Sequence, residues 1–130
     1  MTKIATLIHA LLGKYNLFVS GLLLAVITLA SLSPAGSSGD PGAVGVPDYF
    51  AHIVAYAAVV FVRAATPSAR MLWFCGAVLV WSGAIELLQP FIGRSAGLPD
   101  IYANAAGIAL GAVLGYPFRL LLSRMSSLSA

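Results

Sequence analysis

The chain alternates between long apolar runs and short polar connections. Four runs stand out, at residues 17–32, 49–65, 71–92 and 101–122. A hydrocarbon core about 30 Å thick takes roughly 20 apolar helical residues to cross, so each run is close to membrane length. Because a bilayer offers no hydrogen-bond partner to open backbone, every span must be helical. The pattern predicts an all-α integral membrane bundle of four transmembrane helices.

Polar segments flank and connect these runs. Residues 1–16 form a weakly amphipathic leader before the membrane domain at 17–122, and residues 123–130 form a tail. Residues 33–47 are rich in Gly, Pro and Ser, which predicts a loop outside the hydrocarbon. A cleaved signal peptide is the alternative for the first run, because basic, apolar and small residues follow in that order. The leader is long for that role, so a retained first span is the expectation.

Composition supports a membrane protein. Hydrophobic residues make up 60% of the 130 residues and charged residues only 8%, whereas soluble domains carry roughly 25% charged residues. The net charge of +3 comes from scattered Lys and Arg, so we expect no nucleic-acid partner. The single cysteine, Cys75, lies inside an apolar run and is expected to be a buried structural thiol. No phosphate-binding or dinucleotide-binding loop is present, and no cofactor is expected.

The basic residues also predict an orientation. They lie before the first run, around the connection between the second and third runs, and near the end of the last run: Lys3, Lys14, Arg63, Arg70, Arg119 and Arg124. In the loop at 33–47 the only charged residue is Asp40, and no Lys or Arg is present. Since cytoplasmic connections are enriched in Lys and Arg, both termini are expected in the cytoplasm.

Polar side chains within the apolar runs gather at the opposite, extracytoplasmic end. They come from the start of the second run, the end of the third, the following loop and the start of the fourth: Asp48, His52, Tyr56, Glu86, Gln89, Arg94, Asp100 and Asn104. Helical spacing places the first three on one face, and Glu86 beside Gln89. Ionisable groups at membrane depth are costly and therefore mark candidate functional sites. The sequence predicts one shared cleft at this end.

The fourth run also has a stripe of small residues. Asp100 and Asn104 continue at helical spacing into Gly107, Gly111 and Gly115. Small residues every four positions let two membrane helices approach closely. We expect this stripe to be a packing surface.

Two kinds of chemistry are open for the polar cluster. As an enzyme, it would use His52, Glu86 and Asp100 as catalytic groups, with His52 as general base. Arg94 would then hold a phosphate or carboxylate, which its planar guanidinium suits. As a binder without catalysis, the cluster would hold an anionic head group through Arg94 and Asn104. Asp48, Tyr56 and Gln89 complete the expected ligand-binding set.

Structural roles explain several of these residues individually. Asp48 suits the N-cap of the second helix, and Glu86 with Arg94 could form an ion pair that closes the hairpin. A metal site built from His52, Glu86 and Asp100 lacks compact ligand spacing, and no metal is expected. These roles do not require an acid, a histidine and an arginine at one depth.

The same residues carry a resemblance to a known family. The pattern is Asp48-x-x-x-His52-x-x-x-Tyr56, then Glu86-x-x-Gln89-x-x-x-x-Arg94, then Asp100-x-x-x-Asn104-x-x-Gly107-x-x-x-Gly111. It resembles the VanZ-like family of small bacterial membrane proteins over residues 48–115. The family often has Lys where this chain has Tyr49, and Ser where it has Gly97. The resemblance implies four helices, multi-pass insertion in the bacterial cytoplasmic (inner) membrane, and a link to teicoplanin resistance through the family's namesake.

Together these observations predict a membrane protein with an outward-facing polar cleft. Its expected partners are membrane lipids and the head group of a lipid-linked or cell-wall precursor, which it would bind or process. The alternative is a membrane scaffold or interaction protein whose polar cluster is a structural network of hydrogen bonds and ion pairs.

Overall fold

A computed structural model describes residues 2–33, 48–68, 70–94 and 97–127. Within these ranges the backbone is helical apart from short connections. The described residues form four α-helices: α1 at Thr2–Ser31, α2 at Asp48–Ala64, α3 at Met71–Leu88 and α4 at Leu98–Ser127. The fold is therefore all-α, as the apolar runs predicted. Residues 34–47, which the sequence assigns to a loop, lie outside the described residues, as do 128–130 at the end of the tail.

Two helices are longer than their apolar runs. The helix α1 is continuous from Thr2 to Ser31, so the expected boundary at residue 16 falls inside a helix. Likewise, α4 continues past residue 122 to Ser127. Membrane length limits an apolar run, but polar residues such as Lys14 and Asn16 do not by themselves end a helix.

In the part of the chain that the structure describes, three helices are long and apolar enough to cross a membrane: Ala10–Ser31, Met71–Ile92 and Leu98–Met125. The apolar helix Tyr49–Ala64 is shorter. At 1.5 Å per residue, the 17 residues of α2 extend about 25 Å, which is less than the roughly 30 Å of a typical hydrocarbon core.

The outward surface is apolar. Phe18 is 70% exposed, Trp73 82%, Leu87 75% and Phe91 85%. Water-soluble monomers rarely expose contiguous apolar surface on this scale. A hydrocarbon environment accounts for it, which supports a membrane protein.

The third helix changes geometry near its end. Pro90 has no backbone N–H and cannot continue the α-helical hydrogen bonds, and Gln89–Ile92 forms a 3-10 turn instead. Gly93 then adopts a left-handed conformation with φ 77°, which glycine enters without steric cost. This turn brings the chain round to α4 and places Gln89 and Arg94 near the end of α1.

Helix directions follow from contacts between helices. Ser20 of α1 donates to the carbonyl of Val59 (3.0 Å), and Arg63 of α2 donates to Asn16 (2.9 Å), so α1 and α2 are antiparallel. Along the other face of α2, Ile53 and Ala57 follow the same order as their α4 partners Gly107 and Gly111, so these two helices are parallel. The end of α1, the starts of α2 and α4, and the end of α3 therefore lie at one end of the bundle.

The pair α2 and α4 forms the most extensive helix contact. A Cβ atom added to Gly107 would lie 2.5 Å from the carbonyl oxygen of Ile53, and one on Gly115 2.5 Å from Cβ of Ala64. The Gly stripe predicted from the sequence is confirmed as a packing surface. Beside it, the buried core consists of Tyr56, Val59, Val60, Val78 and Ile108.

Candidate functional site

His52 and Asn104 form the centre of the polar cluster. Nδ1 of His52 lies 2.9 Å from Oδ1 of Asn104, which joins the first part of α2 to the first part of α4. Asn104 is completely buried. The His52 ring also stacks on Tyr56, with ring centroids 6.5 Å apart and an interplanar angle of 12°. The predicted face shared by His52 and Tyr56 is confirmed.

Glu86 reaches the same cluster from α3. Its side chain is 3% exposed. The carboxylate interacts with the side chain of Asn104 and the backbone of Gly97, and electrostatically with His52 and Asp100. The structure therefore brings His52, Glu86, Asp100 and Asn104 together at one end of the bundle, from three helices.

Two buried polar atoms in this cluster lack hydrogen-bond partners among the described residues. They are Oε2 of Glu86 and Nδ2 of Asn104. The amide nitrogen is the only donor of the Asn104 side chain, so Nδ2 is the atom that interacts with the Glu86 carboxylate, yet the two do not reach hydrogen-bond geometry. Buried polar groups are normally paired, so such atoms indicate a place where a ligand or water completes the bonding.

Asp100 lies at the edge of the cluster, in the first turn of α4. Its backbone N–H donates to the carbonyl of Gly97 (3.1 Å). A negative charge at a helix N-terminus is favourable, so Asp100 both stabilises the start of α4 and contributes negative potential to the site. Asp48 is the first residue of α2, but its side chain lies outside the described part of the chain, so its role as an N-cap stays a prediction.

Arg94 has a different setting from the predicted anion anchor. Nη1 lies 3.4 Å from the carbonyl oxygens of both Ala30 and Ser33. These carbonyls belong to the last turn of α1 and the residues after it. Among the described residues Arg94 forms no ion pair with Glu86 or Asp100, so the hairpin-closing pair considered above is not made. The guanidinium instead satisfies carbonyls left free at a helix C-terminus.

Gln89 has the same kind of partner. Its side chain is 3% exposed, and Nε2 donates to the carbonyl of Ser31 (3.3 Å). Together, Gln89 and Arg94 tie the turn after α3 to the end of α1. Their contacts are helix-bridging, and the predicted role of both residues in ligand binding stays a prediction.

A small cavity adjoins His52 between α1 and α2. Its volume is about 150 Å³, and it is lined by Ile27, Ala30, Ser31, Ala51, His52 and Ala55. The sequence alone did not indicate Ser31 or the alanines, because nothing in an apolar run shows which positions will border a void. Within the described ranges, no group of three His, Cys, Asp or Glu side chains is placed to hold a metal ion.

Over the described residues, the fold and the site together define a helical protein with three helices long and apolar enough to cross a membrane and a buried polar cluster at one end. No protein-family model, curated protein or solved structure matches the chain.

Proposed function

We propose that this chain is a VanZ-like integral membrane protein that binds the head group of a cell-envelope amphiphile at the cluster of His52, Glu86 and Asn104. One observation carries the proposal. Beside His52, Oε2 of Glu86 and Nδ2 of Asn104 are buried and have no hydrogen-bond partner within the described ranges. Leaving such groups unpaired costs about 1–3 kcal/mol each, so a bound polar group would offset a real penalty.

The proposal includes an orientation in the bacterial cytoplasmic membrane. Four helices cross, both termini are cytoplasmic, and the cluster faces outwards. Cysteine scanning tests this in Cys75→Ser protein. A cysteine at Ser38 should react with a membrane-impermeant maleimide in intact cells, whereas one at Ser68 should react only after permeabilisation. The charge asymmetry is the physical reason. The reverse pattern would place the site on the cytoplasmic side and contradict the orientation.

The binding function is tested by native mass spectrometry of protein purified from bacterial membranes in a mild detergent. The wild type should retain an amphiphile, and Glu86→Gln should reduce retention about tenfold, the loss expected for one buried charged hydrogen bond. In cells, the proposed consequence is a higher teicoplanin concentration needed to stop growth, which Glu86→Gln should abolish.

Arg94→Ala is the matched comparison. Because Arg94 bonds to the end of α1, its loss should lower the unfolding free energy by about 1 kcal/mol and leave retention close to wild type. Retention lost at wild-type stability would instead make Arg94 a direct ligand contact, as the sequence suggested.

A membrane scaffold is the second candidate function. The carbonyl contacts of Gln89 and Arg94 favour it, because they are complete without any ligand. If the wild type and Glu86→Gln retain the amphiphile equally, or if neither retains any, the scaffold function is supported.

A further inference from the structure

The His52 ring lies between two different environments. On one side, Nδ1 is 2.9 Å from the buried Asn104 amide. On the other, the ring forms part of the wall of the 150 Å³ cavity between α1 and α2. The first contact determines which protons the ring can carry, and therefore what the cavity can bind.

The Asn104 amide selects one tautomer of His52. Its Oδ1 can only accept a hydrogen bond, so the proton must be on Nδ1. With Glu86 ionised, rotating the amide by half a turn would place Oδ1 against the carboxylate, so that two acceptors would face each other in a buried site. The neutral ring then has an unprotonated Nε2 with a free lone pair. Among the described residues Nε2 has no hydrogen-bond partner.

The cavity has room for a small group. A single water needs about 10–15 Å³ of cavity volume, so a cavity of about 150 Å³ holds a hydroxyl group and the carbon atoms next to it. Ile27, Ala30, Ala51 and Ala55 supply apolar walls, which suit the methylene groups next to a polar head. The cavity therefore fits the end of an amphiphile better than a fully hydrated ion.

The lining of the cavity argues against an anion. The acidic side chains Glu86 and Asp100 belong to the neighbouring polar cluster and do not line the cavity. Arg94, the cation expected to bind an anion, donates to carbonyls of Ala30 and Ser33. The lining of the cavity contains no Lys or Arg side chain, so a bound phosphate or carboxylate would lose its hydration without a cation in the lining to compensate for it.

We infer that the cavity between α1 and α2 binds an uncharged hydroxyl group of an amphiphile, which donates a hydrogen bond to Nε2 of His52. Asn104 is a positioning residue that sets the tautomer. The inference rests on the proposed head-group binding. It assigns the bound head group to the alcohols or sugars, in place of the anionic head group expected from the sequence.

The test uses full-length protein with ¹⁵N-labelled histidine in bilayers of phosphatidylcholine, whose head group has no hydrogen-bond donor. His9→Gln leaves His52 as the only labelled imidazole, since the chain has two histidines. Three probes are added separately: monolauroylglycerol with two hydroxyls, methyl laurate with none, and dodecyl phosphate as an anion. Solid-state NMR then reports the protonation of each ring nitrogen and its shift on binding.

We expect a protonated Nδ1 and an unprotonated Nε2, with a saturable shift of Nε2 by monolauroylglycerol alone. Asn104→Leu should produce both tautomers and weaken binding about tenfold. Ala55→Leu should fill the cavity and abolish the shift while Nδ1 stays protonated. Ala58→Leu, the same change at an exposed position of α2, should have no effect.

Three results would overturn the inference. They are a protonated Nε2 in the wild type, an equal Nε2 shift by methyl laurate, and preferential binding of dodecyl phosphate. Binding of dodecyl phosphate would leave the proposed head-group function intact and change only the class of ligand. Failure of all three probes, with no amphiphile retained by the purified protein, would remove the proposed function itself.

Discussion

Replacing Gly111 with alanine is expected to destabilise the protein, although alanine favours an α-helix over glycine by about 1 kcal/mol. A Cβ atom on Gly111 would clash with the carbonyl oxygen of Ala57 and lie 3.0 Å from the backbone nitrogen of Phe61. Both atoms belong to the backbone of α2, so no side chain can rotate away. Forcing extra atoms into a packed interface costs about 1–3 kcal/mol, and Gly111→Leu should lose folded protein altogether.

The measurement is unfolding of purified protein in mixed micelles with increasing SDS, followed by helical circular dichroism. Gly76 is the matched control, because nothing lies within 4 Å of a Cβ added there. Gly76→Ala should be neutral or stabilising, and Gly76→Leu should fold. Equal losses of stability at Gly111 and Gly76 would contradict the close approach of α2 and α4. The glycine stripe would then not be a packing surface.

The second large effect is expected at Asn104. Asn104→Leu keeps the number and branching of the side-chain heavy atoms but leaves Nδ1–H of His52 without its acceptor. Each buried polar group left unpaired costs about 1–3 kcal/mol. The free energy of unfolding should therefore fall by more than the roughly 0.5 kcal/mol that surface substitutions usually cause.

A double-mutant cycle separates this pairing from simple loss of packing. His52→Phe combined with Asn104→Leu should cost less than the sum of the two single changes, by about 0.5–3 kcal/mol, because the double variant leaves no imidazole proton unpaired. Tyr56→Phe with Asn104→Leu is the comparison pair, since no hydrogen bond joins those two side chains in the structure. Additive costs for His52 and Asn104 would show that their contact contributes nothing to stability.

The apolar runs determined where the helices lie, because burying a helix in hydrocarbon depends on local composition and length. Thus α2 spans Asp48–Ala64, one residue earlier at each end than the predicted run at 49–65. The third run, 71–92, is matched by α3 and its 3-10 turn. The apolar pattern did not predict the helical extensions. The helix α1 already begins at Thr2, well before the predicted run at 17–32.

Helical periodicity likewise determined which residues share a face. The contact of His52 with Tyr56 and the packing of Gly107 and Gly111 against α2 follow from spacing along one chain. The common depth of His52, Glu86 and Asn104 follows from their distances to the helix ends. These relations depend on geometry within a helix, which is the same in every α-helix.

The partners of each polar atom were decided only by the tertiary structure. His52 and Asn104 are 52 residues apart, and Arg94 and Ala30 are 64 apart. Whether Arg94 faces Glu86 or the end of α1 depends on helix rotation, on the turn at Gly93 and on side-chain rotamers. The orientation of the Asn104 amide and the cavity beside Ser31 depend on the same packing. Sequence spacing therefore predicted a polar cluster at one end of the bundle, whereas three-dimensional packing decided which atoms in it are paired and which remain open to a ligand.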